Sequence, residues 1–147
     1  MVERLTIDGV GIEQIPVQDV KTAYQLIEYD LKRIRRKSYS DWIPADVYVA
    51  LLNRQADLFM FYDSDNYVGF IVTSIVQDTN GKENLFVWAS YQKPEYNYTE
   101  VGFKFLDKLA YNKNIEAIEF HTSRPGWERV ATKYGFELTS YIYKKEV

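Results

Sequence analysis

The chain has 147 residues, 46% of them apolar and 27% charged, with a net charge of −3, no cysteine and one histidine. That length fits a single domain with one good core. The acidic balance argues against a dedicated nucleic-acid binder. The absence of cysteine excludes a disulfide framework, a thiolate metal site and a cysteine nucleophile, and one histidine gives no basis for a metal centre.

The opening MVERLTIDGV lacks the apolar core of a signal peptide, and no apolar run reaches membrane-spanning length. A soluble, cytoplasmic protein with no membrane association is expected. Tyrosine is plentiful, at 13 residues, and its amphipathic ring suits grooves and interfaces.

VERLTIDG reads as a weak first strand. From Val17 to Arg36, Val20, Ala23, Tyr24, Ile27, Leu31 and Ile34 recur at three- and four-residue steps, which predicts an amphipathic helix. Pro16 marks its entry, and its cationic end, within KRIRRK, suits the negative pole of the helix dipole. A shorter helix is expected over Asp41 to Arg54.

Three strands follow: ADLFMFYD, then YVGFIVTSIVQD after the turn DSDN, then NLFVWASYQ after TNGKE, whose Asn80-Gly81 signals a hairpin. A helix is predicted over Thr99 to Asn112, a strand over Ile115 to His121, and a helix over PGWERVATKY ended by Gly135. A final strand is expected over Phe136 to Tyr143. An antiparallel meander followed by a β-α-β-α-β tail gives a single α/β domain, with a mixed, mostly antiparallel sheet and helices on both faces.

The loop PEYNYTEVG, residues 94–102, lies between a strand and a helix start. The first amides of a helix have no internal partners, so this is where an anion can be cradled. Such cradles are usually glycine-rich, and this one carries tyrosines and a carboxylate. Thr99 and Glu100 could themselves cap the helix, which would leave no place for an anion.

The order of elements, this loop and the tail KYGFEL resemble the GNAT N-acetyltransferases. Pro94, Glu95, Tyr96 and Gly102 match the family's cofactor loop, commonly P-E-Y-R-G-x-G-x-G. SRPGWERVATKYGF also resembles small GNAT-like proteins of tailed phages, for which host cytoplasm or virion would be the setting. The resemblance implies acetyl-CoA as cofactor, with its pantetheine along Ser90, Tyr91 and Gln92 and its pyrophosphate on the loop residues Asn97, Tyr98, Thr99, Glu100, Val101 and Gly102. Tyr98 and Glu100 stand where the family has glycines. The tyrosine that family enzymes often use as acid falls on Ala131, leaving Tyr134, one turn later, as the candidate.

Glu119 and His121 share a strand face where the family places acceptor and base groups. Histidine gains and loses a proton near neutral pH without tuning. Ser123 before Arg124-Pro125-Gly126 reads as a helix N-cap. Two functions remain open: an acetyl-CoA-dependent transferase acting on an amine of a small molecule or protein, and a catalytically silent interaction or structural protein. In the second, Tyr91, Tyr96 and Tyr98 would form a surface for a partner or for self-association.

Overall fold

The computed structural model describes residues 4–36, 42–122 and 124–147. Six strands and four helices form one α/β domain: β1 Arg4–Ile7, β2 Val10–Gln14, α1 Val20–Arg36, α2 Pro44–Leu52, β3 Asp57–Asp63, β4 Asn66–Gln77, β5 Glu83–Gln92, α3 Thr99–Asn112, β6 Ile118–Phe120 and α4 Trp127–Lys133. The expected helix start at Asp41 and the expected N-cap Ser123 lie outside the described residues. A short 3-10 turn, Val17–Asp19, leads into α1. Among the described residues no helix is long and apolar enough to cross a membrane.

The sheet runs β1-β2-β3-β4-β5-β6. Every neighbouring pair is antiparallel except β5 and β6, which are parallel. The expected single opening strand is in fact a hairpin, because Asp8 and Gly9 both take positive φ (50° and 81°). Such a two-residue turn matches the right-handed twist of paired strands, and it sets Ile7 opposite Val10.

β3 is buried on both faces, which explains its uninterrupted apolar run. Phe59 and Phe61 pack towards α3, where Phe105 meets them edge-on at 4.8 and 5.7 Å. Leu58 and Met60 pack with Phe70, Val72 and Ala89 against Ile27 and Leu31 of α1 and Val47 and Leu51 of α2. Fully burying such side chains contributes roughly 1.5–3 kcal/mol each. The sheet therefore separates two cores, one under α3 and one under α1 and α2.

Asn114 (φ 56°) ends the turn after α3, and Gly135 (φ 87°) ends α4, the latter as the sequence predicts. β6 is shorter than expected, three residues in place of seven. The strand expected over Phe136 to Tyr143 is not formed. Phe136 packs on Phe103 and Phe120, but beyond it Leu138, Tyr141, Ile142 and Tyr143 are 64–93% exposed. β-propensity expresses itself only where a neighbouring strand and a packing face exist. β6 pairs with β5 over only three positions and provides little ladder for a further strand.

Candidate active site

The site begins with two irregularities in β5. Val72 pairs with Ala89 and Thr73 with Val87, so Trp88 is left out of the ladder as a bulge. Val87 consequently packs towards α3, while Trp88 and Ala89 both pack on the α1/α2 side. On its other edge β5 pairs with β6 only over Leu85–Val87. From Trp88 to Gln92, β5 runs on with no parallel partner, and the two strands enclose a cleft.

A cavity of about 500 Å³ occupies this cleft. Its lining draws on both cores: Ile71, Tyr98, Gly102 and Phe120 from the α3 side, and Trp42, Phe70, Trp88 and Tyr91 from the α1/α2 side. Two molecules could thus approach one point from opposite faces of the sheet.

The loop 94–102 is tied down by its own side chains. Tyr96 and Tyr98 stack at 5.4 Å and 20°, and the Tyr98 hydroxyl donates to Asp63 Oδ2 at 2.6 Å. Burial, followed by that bond, pushes the Tyr98 phenol up to about 12. Gln92 accepts the Tyr98 amide at 2.6 Å and donates to Thr99 Oγ1 at 3.3 Å, joining the end of β5 to the start of α3.

The cap expected from Thr99 and Glu100 is not observed. Tyr98 is the N-cap residue of α3, and no side-chain cap bond forms there. The Asn97 side chain accepts from the Thr99 amide at 3.5 Å, the limit for such a bond. Glu100 reaches along the helix to Lys104 at 3.8 Å and is two-thirds exposed. Lys104 Nζ lies nearer Asp8 Oδ2, at 2.8 Å, so the contact with Glu100 is the weaker of its two pairs, and the Glu100 carboxylate makes no cap bond to the helix amides. A Cβ on Gly102 would meet only Ile71 Cδ1, at 3.8 Å, which places this glycine against the cavity wall.

Six of the nine residues expected to hold acetyl-CoA line the cavity: Ser90, Tyr91, Gln92, Tyr98, Thr99 and Gly102. Asn97, Glu100 and Val101 do not, and the Val101 side chain is buried in the core. The uncapped helix start, the unpartnered stretch of β5 and the cavity between them fit an extended nucleotide thioester such as acetyl-CoA.

His121 lines the cavity. Its Nε2 lies 3.2 Å from Glu119 Oε2, and its ring lies 4.9 Å from that of Phe86. Glu119 is also reached by Asn84 Nδ2 at 3.5 Å. The expected pair is therefore assembled, with histidine at the cavity and glutamate behind it. Tyr134 does not line the cavity. Its ring stacks on Phe103 at 4.4 Å and 23°, a packing position on the apolar face of α4.

Tyr91, Tyr96 and Tyr98 do not form one exposed surface. Tyr96 and Tyr98 pack on the α3-side core and Tyr91 on the other, where it stacks on Phe70 at 6.0 Å. The sequence reading missed Arg33, Ile34, Trp42 and Trp88 as lining residues. Only the WAS of NLFVWASYQ, a bulky residue breaking alternation, could have signalled the bulge.

No known family profile and no curated protein sequence matches the chain. Solved structures do match. A predicted acetyltransferase from Clostridium acetobutylicum, with acetyl-CoA, is 16% identical over 93% of this chain and 96% of that one, with a TM-score of 0.66. An aminoglycoside acetyltransferase from an uncultured soil metagenomic sample, in complex with sisomicin, is 13% identical over 95% and 98%, TM-score 0.65. Ribosomal-protein-alanine N-acetyltransferase from Brucella melitensis biovar Abortus 2308 is 15% identical over 92% and 99%, TM-score 0.62. At such identities the likeness establishes architecture, and the architecture of this chain is the GNAT acetyltransferase fold.

Proposed function

We propose that the protein transfers an acetyl group from acetyl-CoA to an amine, in the cytoplasm. The observation that carries this reading is the single cavity joining an uncapped helix N-terminus on one face of the sheet to His121 on the other. The amides at the start of α3 are suited to the pyrophosphate. The open edge of β5 over Ser90 to Gln92 offers backbone donors and acceptors to the pantetheine amides. The bound cofactor supplies an acetyl group already activated as a thioester.

The chain's own part is to orient the amine and remove its proton. In this reading His121, which lines the cavity, takes that proton. Glu119 acts as a positioning residue, its Oε2 3.2 Å from the ring nitrogen Nε2. With no cysteine in the chain, the acetyl group would pass directly to the amine rather than through a thiol of the protein, the new C–N bond forming as the thioester C–S bond breaks and the released thiolate taking its proton from solvent. The proposal assigns no proton-donating role to Tyr134, which sits outside the cavity.

A second reading, an interaction protein built on the same fold, has one observation in its favour: the exposed Leu138, Tyr141, Ile142 and Tyr143 of the C-terminal segment. The readings separate on one assay, in which acetyl-CoA and a mixed panel of primary amines are incubated with the protein. The transferase reading expects thiol release and a product 42 Da heavier than its amine, the mass of an acetyl group replacing a hydrogen. Thiol release no faster than in buffer, with no acetylated amine, would refute it.

A further inference from the structure

The acceptor half of the cavity has its own chemistry, and the following rests on the transferase reading only for calling its occupant an acceptor. Its walls are aromatic: Trp42 and Trp88 meet edge-on at 6.2 Å and 82°, beside the Phe70–Tyr91 stack. Its charged groups are basic. Arg33 of α1, Lys93 just past the end of β5 and Arg124 line the cavity, and among the described residues no carboxylate does. Lys93 lies over the Tyr67 ring at 5.4 Å, on the α1/α2 side and away from the helix start that suits the pyrophosphate.

Asp30 and Glu95 are the nearby acids, both close enough to act on the Tyr91 phenol, and Asp30 is already engaged. It hydrogen-bonds with Tyr91 and is coupled to both Arg33 and Lys93. Among the described residues the charged side chains that line the cavity itself are cations, while Asp30 and Glu95 lie behind the wall, so the face met by a ligand is positive. A polycationic amine would be repelled there, whereas an anionic group on the ligand would find Arg33, a planar fork suited to a carboxylate.

We infer that the acceptor is an amine with an aromatic or apolar body and a neighbouring carboxylate, held by Trp42 and Trp88 on its body and by Arg33 on its anion. An aromatic amino acid or a peptide N-terminus of that composition has this chemistry; an aminoglycoside does not.

Equilibrium binding without acetyl-CoA reads this chamber alone, so its result is separable from the test of transfer. The probes are phenylalanine, phenylalaninamide and sisomicin, titrated by ligand-observed NMR. Phenylalanine is expected to bind about tenfold or more tightly than phenylalaninamide, and sisomicin more weakly than either. Arg33→Ala should bring the first two within about twofold of each other, and Arg33→Glu should invert their order. Thermal melts establish that both variants are folded, and Lys93→Glu gives an independent charge reversal on the same wall. Equal binding of phenylalanine and its amide, no binding of either, or preference for sisomicin would overturn the inference.

Discussion

Tyr98→Phe removes one oxygen atom and tests how the loop 94–102 is held. In the wild-type protein that hydroxyl donates to Asp63 at 2.6 Å, linking the start of α3 to the end of β3. A hydrogen bond to a charged acceptor contributes about 1.5–3 kcal/mol when it is well shielded. Both side chains here are only half-buried, so water recovers part of that, and a loss of about 1 kcal/mol is expected.

The same bond sets a pH signature. The phenol is raised from 10.0 to about 12, so its contribution is fully present below pH 10 and is lost as pH rises through about 12, because the unfolded chain ionises first. Urea unfolding of both proteins across this range reads the effect. The wild type should be more stable at neutral pH, and the gap should close between pH 10 and 12. A gap that is absent at neutral pH, or that stays constant through the alkaline range, would refute the reasoning.

Other variants address the site and its frame. His121→Ala should lower kcat by about 100-fold or more while leaving the Kd for acetyl-CoA within about twofold; Glu119→Gln should lower it less. Retained activity in His121→Ala would remove histidine from the mechanism. Gly69→Ala places a Cβ 2.2 Å from the Tyr91 carbonyl oxygen, a backbone atom, and should cost at least the roughly 1–3 kcal/mol of an overpacked site; a melting temperature within error of wild type would contradict that geometry. Because Glu100 faces Lys104, Glu100→Gln should tighten acetyl-CoA binding by no more than about threefold, and a tenfold gain by calorimetry would mean that its carboxylate does compete for the amides. Lys82, by its hydrogen bond and its charge, holds the Glu116 carboxyl below its usual 4.5. That contribution is present at neutral pH and lost as pH falls through the lowered value, so Glu116→Gln should flatten the acid limb of stability.

The fold was legible wherever one face of an element is apolar and the next turn carries its own chemistry. The stripe of α1, the αL residues Asn114 and Gly135 and the order of the meander all follow from such local rules. The second opening strand escaped because VGIEQ is short, although Asp8-Gly9 carries the same hairpin chemistry as Asn80-Gly81. The closing strand failed for the opposite reason. Its pattern is strand-like, yet pairing depends on a partner edge that sequence does not reveal.

At the site, strand alternation puts Glu119 and His121 on one face, and their side chains do meet at 3.2 Å; the roles of that pair and of the loop came from the family resemblance. The direction of Glu100 was not legible, since position in the first turn does not decide between the amides and Lys104. Nor was the division of the tyrosines between two cores, which depends on which face of the sheet each one meets. The aromatic wall of the cavity arises in part from the bulge at Trp88, which places two successive side chains, Trp88 and Ala89, on one face.

The central claim is that acetyl-CoA lies between the end of β5 and the start of α3. Backbone amide shifts in a titration with acetyl-CoA test it residue by residue. Saturable changes concentrated at Ser90, Tyr91 and Gln92 and at Glu100, Val101 and Gly102 are expected. No saturable shift at millimolar cofactor, or shifts confined to residues elsewhere, would contradict the account.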